Sequence, residues 1–472
     1  MSERPNVVLV VIDTARADHF GPYGGRARTP AFDALAAGGT LVRGARASAP
    51  WTVPSHGTIF SGLLPDEHRV DGGAARSSER RLTSLRPAIE RNAERWMPEV
   101  FRRAGYETAA ISANVWITRE MGFDLGFDSF AQVGLAAIAP RGATPRRRLR
   151  DRIPRAALDR GKHALRYGTE LLRGRDFGAE AALGVLRELA SAARKPGRGP
   201  FFWFLNVMEP HAPYLPPSAY LPSWGRDRLM TPSVVHRYLE ERSVLSYNLG
   251  RGSLPRGVEQ MLRRLYAGEI SYADAFVGKL VGVLRPMLDD TLLVVTSDHG
   301  EHLGELHRLG HQVALDAALL DVPLVLRGPG QETVRTGGVF SLQGLPALIA
   351  EAAGLASPPW EPSPDIAISR YESGWEQIRR APELASELRL TDAERALLRS
   401  PMACATDGRT TLTVSDAGEQ VDGDPAGADR LRSALGEQEA RVAGSHSGGK
   451  GDGLPPEEEA EIEARLHDLG YL

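Results

Sequence analysis

Residues Val7 to Ile12 form an unbroken, mostly β-branched apolar run bounded by polar residues. That is the pattern of a strand buried on both faces of a parallel sheet. Four further short, largely apolar runs, Glu107 to Ser112, Phe201 to Val207, Thr291 to Thr296 and Pro323 to Leu326, are separated by segments of helical periodicity. Strand and helix therefore alternate, which predicts the α/β class: a large, mostly parallel central sheet with helices on both faces. Thr29 stands where a helix cap belongs, with Pro30 at the first helical position and Gly38 past the end. Ala179 to Ala193 and Val258 to Leu284 also read as helices, the longer one with a break expected near Gly268.

A chain of 472 residues can hold two or three units of ~100 to 200 residues, or one large α/β domain with an appendix. The Pro-rich stretch Ser357 to Pro364 marks the expected boundary between a larger domain, 1–355, and a smaller α+β region, 356–472. Within that second region a Gly- and Ser-rich segment at about 444–455 reads as flexible, and Pro456 to Leu469 as an acidic final helix. Residues of about 141–195 read as a basic, helix-prone insertion carrying Arg146, Arg147, Arg148, Arg150 and Arg152. It is a solvated helical face or, alternatively, a phosphate- or membrane-facing lid.

Lys and Arg number 57 against 60 Asp and Glu, a net charge of −3, which gives no global field for holding nucleic acid. The single cysteine, Cys404, excludes an internal disulfide and a cysteine-rich metal cluster. No apolar run approaches the ~20 residues of a membrane-spanning helix. Asp13, not a small-residue cleavage site, follows the first apolar run. The expectation is a cytoplasmic protein, with membrane contact only at the surface, through the basic insertion.

Four of the twelve histidines fall between His299 and His311, just beyond the run Thr291 to Thr296, and Asp298 precedes them. The first run likewise ends in Asp13. If the two strands are parallel neighbours, Asp13, Asp298 and His299 emerge at one edge of the sheet, where open α/β folds bind ligands. Two carboxylates and an imidazole suit a divalent metal with an open position. Read alone, Asp13 has a helix cap as its lesser alternative, and His302 and His307 are ordinary loop residues. The third piece is Trp51-Thr52-Val53-Pro54-Ser55-His56-Gly57, at its plainest a good helix start. A hydroxyl at a helix amino terminus beside a cation is also stabilised as an alkoxide and becomes a nucleophile.

With these residues in place, the sequence resembles the sulfatase family of the alkaline-phosphatase superfamily. The resemblance is carried by Asp13-Thr14-Ala15-Arg16-Ala17-Asp18, Thr29-Pro30, Thr52-Val53-Pro54-Ser55-His56, Ser61-Gly62, Glu209-Pro210-His211 and Ser297-Asp298-His299-Gly300-Glu301. His311 and Val322-Pro323-Leu324 close the set. The resemblance implies that 1–355 is the catalytic domain and that Asp13, Thr52, Asp298 and His299 hold one divalent ion: zinc, manganese, magnesium or calcium. It further implies that His211 and His311 contact the substrate oxyanion or protonate the leaving group. His56 is placed with them as a substrate-contacting residue, with orientation of Thr52 or plain solvent exposure as its alternatives. His68, Arg16 and Asp18 are expected to organise loops.

Four positions depart from the family, one of them His311, which is lysine in many sulfatases but as an imidazole can still donate a proton. Formylglycine-type members carry Cys or Ser where this chain has Thr52, and Arg where it has His56. Thr52 bears a methyl on Cβ, so its oxidation yields a ketone and not the aldehyde that chemistry needs. Thr14 replaces a second acidic ligand, which lowers the expected preference for calcium. A Thr nucleophile is similar instead to phosphoester hydrolases and phosphoethanolamine or phosphoglycerol transferases of the superfamily. Phosphoester hydrolysis, of mono- or diesters, through a covalent Thr52 intermediate is therefore expected, on a small-molecule, glycan or lipid anionic ester. The alternatives are a sulfuric ester hydrolase that uses Thr52 directly and a non-catalytic metal- or anion-binding homologue.

Overall fold

A computed structural model describes residues 4–70, 84–134, 176–195, 197–221, 233–311, 313–334, 337–372 and 381–444. The central sheet has seven strands: β1 (Asn6–Ile12), β2 (Thr40–Leu41), β3 (Glu107–Ser112), β4 (Ser129–Gln132), β5 (Phe201–Val207), β6 (Thr291–Thr296) and β7 (Leu324–Arg327). Their spatial order is β2-β7-β6-β1-β5-β3-β4. The five strands from β6 to β4 pair in parallel, with Val10 of β1 level with Leu205 on one side and Val295 on the other. β7 runs antiparallel to β6, and β2 antiparallel to β7. The expected mostly parallel sheet is present, extended at each edge by a short strand, β2 and β4, too brief to carry an apolar pattern of its own.

Side chains alternate across the pleat, so Phe202 and Phe204 of β5 share one face. Phe202 stacks on Phe101, centroids 4.6 Å apart, and Phe204 meets Phe60 at 4.9 Å. These partners lie on the helices Met97–Arg103 and Thr52–Ser61. The helix Ala179–Ala193 buries Ala182, Leu183, Leu186 and Ala190 and packs against the long helix Val258–Leu284, β3 and β5. Of the basic insertion, residues 135–175 lie outside the described residues.

Two local expectations are corrected. The long helix is continuous from Val258 to Leu284. Gly268 is there because a Cβ would come within 2.6 Å of the Tyr220 carbonyl oxygen and 2.9 Å of Pro216. Thr29 precedes the helix Pro30–Gly38 but does not cap it with its side chain. Its hydroxyl donates to Asp33 at 2.8 Å and accepts from Gly21 N–H. The helix's free N–H groups at Ala31 and Phe32 are taken by Asp274, reaching over from the long helix at 3.1 and 2.8 Å, which satisfies the orphan donors of the first turn.

The carboxyl-terminal region is a four-stranded antiparallel sheet, Ala367–Tyr371, Met402–Thr406, Thr411–Ser415 and Gly418–Asp422, with the helix Ala428–Ala443 on it. Leu64 of the larger domain joins its small core of Ile368, Ala403, Ala405, Leu412, Leu431 and Leu435. Ser369 donates to the Ala47 carbonyl, the Arg370 N–H to that of Ser48, and Arg370 pairs with Asp66 at 3.2 Å. The segment expected to be flexible lies outside the described residues from 445 onward. No helix among the described residues is long and apolar enough to cross a membrane.

Candidate active site

Because β1, β3, β5 and β6 are parallel, their carboxyl ends deliver side chains to one edge. Asp13 leaves β1 with its N–H bonded to the Val207 carbonyl at 2.8 Å. Asp298 and His299 leave β6, and Asn114 follows β3. The fourth contribution is the helix Thr52–Ser61, every residue of which is buried. The Ser55 hydroxyl donates to the Asp298 carbonyl at 2.5 Å and so ties that helix to the edge.

Thr52 occupies the first helical position behind Trp51 and makes no capping bond. The cap reading gives way to another geometry: Thr52 Oγ1 lies 3.5 Å from Asp13 Oδ2 and 3.4 Å from His299 Nε2. Nor does Asp13 cap a helix; its Oδ2 accepts from Asn114 Nδ2 at 2.5 Å. His299 Nδ1 lies 2.9 Å from the Gly300 carbonyl oxygen. A carbonyl only accepts, so Nδ1 carries the proton and Nε2 presents a lone pair, 3.6 Å from Asp298 and 3.8 Å from Asp13.

Asp13 Oδ1 and Asp298 Oδ2 are fully enclosed and have no hydrogen-bond partner among the described residues. One donor atom each from Asp13, Asp298 and His299 lie within 4.8 Å of one another. Burial pushes the Asp298 carboxyl up to about 7. Burial, and then the neighbouring Asp298, raise Asp13 well above the usual carboxylate range. Burial, followed by the nearby His311, holds His299 well below its ordinary value. Two partnerless carboxylate oxygens and an imidazole lone pair, converging where water is excluded, are a donor set that fits a divalent cation.

Next to it stands a row of imidazoles. The His311 ring centroid is 4.8 Å from that of His299 and 5.4 Å from that of His211. His211 Nδ1 donates to the Ala212 carbonyl at 2.7 Å, and burial takes its pKa down to about 4. His311 behaves oppositely. Burial works against its charged form, but Glu301, 3.0 Å from Nδ1, leaves the pKa raised.

His56 is the site residue whose expected placement needs correcting. It neither faces solvent nor lines a substrate surface. The ring is fully buried, edge-on to Phe60 and Phe204. Nδ1 donates to the Thr52 carbonyl at 2.9 Å and lies 3.5 Å from Asp298 Oδ2, while Nε2 is 3.4 Å from Asn206 Nδ2. Burial holds the ring near 4, hence neutral. An imidazole one helical turn after Thr52 thus supports that turn from beneath.

The loop residues behave as expected. Arg16 reaches Asp18 through Nε and Nη2, at 3.0 and 2.7 Å, and Glu305 and the Glu301 carbonyl through Nη1, at 2.8 and 3.0 Å. His68 accepts from Val70 N–H and donates to the Pro54 carbonyl. Its ring lies where a Cβ on Gly57 would stand, 2.5 Å away. His302 pairs with Asp316 at 2.8 Å, and His307 stacks on Tyr247. Thr14 adopts a left-handed φ of 55°, a costly conformation for a β-branched residue. Tyr266 holds it there, its hydroxyl donating to the Thr14 carbonyl at 2.6 Å, and the Thr14 hydroxyl is buried beside the site without a partner among the described residues.

Asn114, Glu301 and Tyr266 received no role from the sequence. The edge rule that found Asp13 also applies to Asn114, two residues beyond β3. Glu301 lies inside the Asp298-His299 run. Nothing local marks Tyr266, in mid-helix.

The sulfatase family model matches residues 5–355. The multifunctional alkaline phosphatase superfamily protein PehA of Trinickia caryophylli is 25% identical over 391 residues, 74% of each chain. Choline-sulfatase of Rhizobium meliloti is 26% identical over 345 residues, 69% of this chain and 63% of that protein. Among solved structures, the phosphonate monoester hydrolase of Agrobacterium radiobacter superposes with a TM-score of 0.59 at 18% identity, over 96% of this chain and all of the other.

Proposed function

The chain belongs to the sulfatase family, and from that premise we propose that it is a metal-dependent hydrolase of anionic esters acting through a covalent intermediate on Thr52. The observation that carries the reading is the Thr52 hydroxyl, 3.5 Å from Asp13 and 3.4 Å from His299, beside the two partnerless carboxylate oxygens. Asp13, Asp298 and His299 would hold the cation, which when bound would lower the pKa of the hydroxyl and offset charge on the transferred group. Thr52 Oγ gives up its proton to solvent and attacks the phosphorus, and the bond to the leaving oxygen breaks. That oxygen takes a proton from the imidazole row, with His311 the better donor because Glu301 favours its protonated form. Water then displaces Thr52 from phosphorus and restores the hydroxyl. Asn114 fixes Asp13, and His56 fixes the turn that presents Thr52.

The choline-sulfatase relative, 26% identical, favours a second reading, a sulfuric ester hydrolase in which the same hydroxyl attacks sulfur. Turnover of matched aryl phosphate, phosphodiester and sulfate esters, with Thr52→Ala beside the wild type, tests both. Loss of all turnover in Thr52→Ala is expected, and unchanged turnover removes Thr52 from the chemistry. Bound metal with no turnover of any ester would instead indicate a binding homologue.

A further inference from the structure

Thr14 stands between the ligand candidate Asp13 and the loop residue Arg16, at a left-handed φ of 55° that a β-branched side chain resists. Hydrogen bonds from two directions hold the turn in that shape. On one side the Thr14 N–H donates to Asp298 Oδ1 at 3.3 Å, and the Ala15 N–H to the Ser297 hydroxyl at 2.9 Å. On the other, the Arg16 N–H donates to the Tyr266 hydroxyl at 3.0 Å, and that hydroxyl donates to the Thr14 carbonyl at 2.6 Å. Tyr266 is fully buried, its ring edge-on to His19 at 4.7 Å and to Tyr214 at 5.5 Å.

The turn decides which carboxylate oxygens are left over. Asp298 Oδ1 takes the N–H groups of Thr14 and His299, the latter at 3.0 Å, while Oδ2 has no hydrogen-bond partner among the described residues. Asp13 is divided in the same way, with Oδ2 on Asn114 Nδ2 and Oδ1 left open. The ends of β1 and β6 are thus joined through residues 14–15 and 297–298. Tyr266 closes that joint from the helix Val258–Leu284.

Resting on the metal-dependent reading above, we propose that Tyr266 is a positioning residue for the cation. Its hydroxyl, clamped between the Thr14 carbonyl and the Arg16 N–H, holds Thr14 in the left-handed turn, and the turn keeps Asp298 Oδ2 and Asp13 Oδ1 as the oxygens open to a metal. Without that hydroxyl, an enclosed carbonyl and an enclosed N–H lose their partner. Thr14 then relaxes toward an ordinary φ and withdraws its N–H from Asp298. The carboxylate is free to turn, and the donor set loses its fixed geometry.

Metal affinity is the readout, so the test does not depend on turnover. The full chain, stripped with chelator, is titrated calorimetrically with zinc and with manganese. Tyr266→Phe removes one oxygen and keeps the ring. It should weaken binding about 10- to 100-fold, the usual effect of losing a group that orients a ligand. Thr14→Gly supplies a second background, because glycine takes a positive φ without strain and its turn needs no clamp. There the loss caused by Tyr266→Phe should shrink to less than about threefold, close to the scatter of independent changes. Comparing the two losses removes any contribution of the Thr14 hydroxyl itself.

Equal losses in both backgrounds would make Tyr266 a packing residue and overturn the proposal, as would wild-type affinity in Tyr266→Phe. If Tyr266→Phe does not fold, Tyr266→Phe/Thr14→Gly should fold and bind within about threefold of Thr14→Gly. A double variant that fails to fold or to bind overturns the clamp. Wild-type protein that takes up neither metal overturns the metal-dependent reading, and this inference with it, whereas a clamp that fails in metal-binding protein leaves that reading intact.

Discussion

Glu301 Oε1 and His311 Nδ1 lie 3.0 Å apart, with the carboxylate side chain 1% exposed and the imidazole 15%. The carboxylate accepts, so Nδ1–H donates and Nε2 is the nitrogen left for the substrate side. Burial opposes both charges, yet the pairing holds Glu301 below its ordinary value and His311 above its own. Glu301→Gln keeps the volume and removes the charge. It should leave bound-metal stoichiometry unchanged and lower kcat by about 10- to 100-fold, the usual cost of losing a partner that orients a functional His. Because His311 loses its anion, the alkaline limb of the kcat profile should also move to lower pH. A variant with wild-type kcat and an unmoved profile would show that the pair is only structural.

The Asp13 and Asp298 carboxylates give metal removal a definite sign. In metal-stripped protein the Asp298 carboxyl titrates at about 7, above the unfolded value of ~3.9. Its contribution to stability is therefore full below pH ~4 and is lost as pH rises through ~7, by an amount on the order of a few kcal/mol. Chelator-treated protein should lose Tm between pH 5 and 8, and added divalent metal should restore it. Asp13→Asn removes one of two adjacent buried charges. In stripped protein at pH 8 it should melt higher than wild type, while binding less metal. Equal melting of the two stripped proteins would count against paired, uncompensated carboxylates.

His56 is enclosed on every side, with Phe60 and Phe204 against the ring and the Thr52 carbonyl on Nδ1. His56→Ala opens a cavity and removes the Nδ1–H bond to the Thr52 carbonyl, at a cost of about 2 to 4 kcal/mol, read as a lower denaturation midpoint. The same change frees the first turn that carries Thr52, so kcat should fall more than KM rises. A variant that loses only KM would return His56 to a substrate-contacting role.

The core of the fold was legible because burial on both faces forces continuous apolar runs. Glu107 to Ser112, Phe201 to Val207 and Thr291 to Thr296 are strands over those same residues. Strands β2 and β4, of two and four residues, leave no such trace. The metal-ligand candidates were legible because a strand's last apolar residue points to the sheet edge, so Asp13 and Asp298 follow from β1 and β6 alone. The burial of His56 was not, since nothing in Pro54-Ser55-His56-Gly57 says that Phe204, from a strand some 150 residues away, closes over it. Nor does the helix Pro30–Gly38 reveal that its cap, Asp274, is supplied by another helix. Long-range satisfaction of local donors has no local signature.

Glu209 supplies a stability test away from the metal. Its side chain is wholly buried, and Oε1 accepts from the Ala179 N–H at 2.9 Å, at the start of the helix Ala179–Ala193. Asp176 accepts from the N–H groups of Gly178 and Ala179 at 2.9 and 2.8 Å, so a second carboxylate occupies the same helix end. Burial, and then the charge of Asp176, push Glu209 up to about 8, against ~4.3 in the unfolded chain. A raised folded value means that the stability Glu209 provides is complete below pH ~4.3 and disappears as pH climbs through 8, because the buried carboxyl is then forced to ionise. Glu209→Gln keeps an oxygen for Ala179 and never ionises. Its Tm relative to wild type should therefore rise steadily from pH 5 to pH 8.5, reaching a net stabilisation on the order of a few kcal/mol. Other titrating groups are common to both proteins and drop out of the difference. A Tm difference that does not change with pH would mean that Glu209 is ionised throughout, compensated by a cation at that helix end.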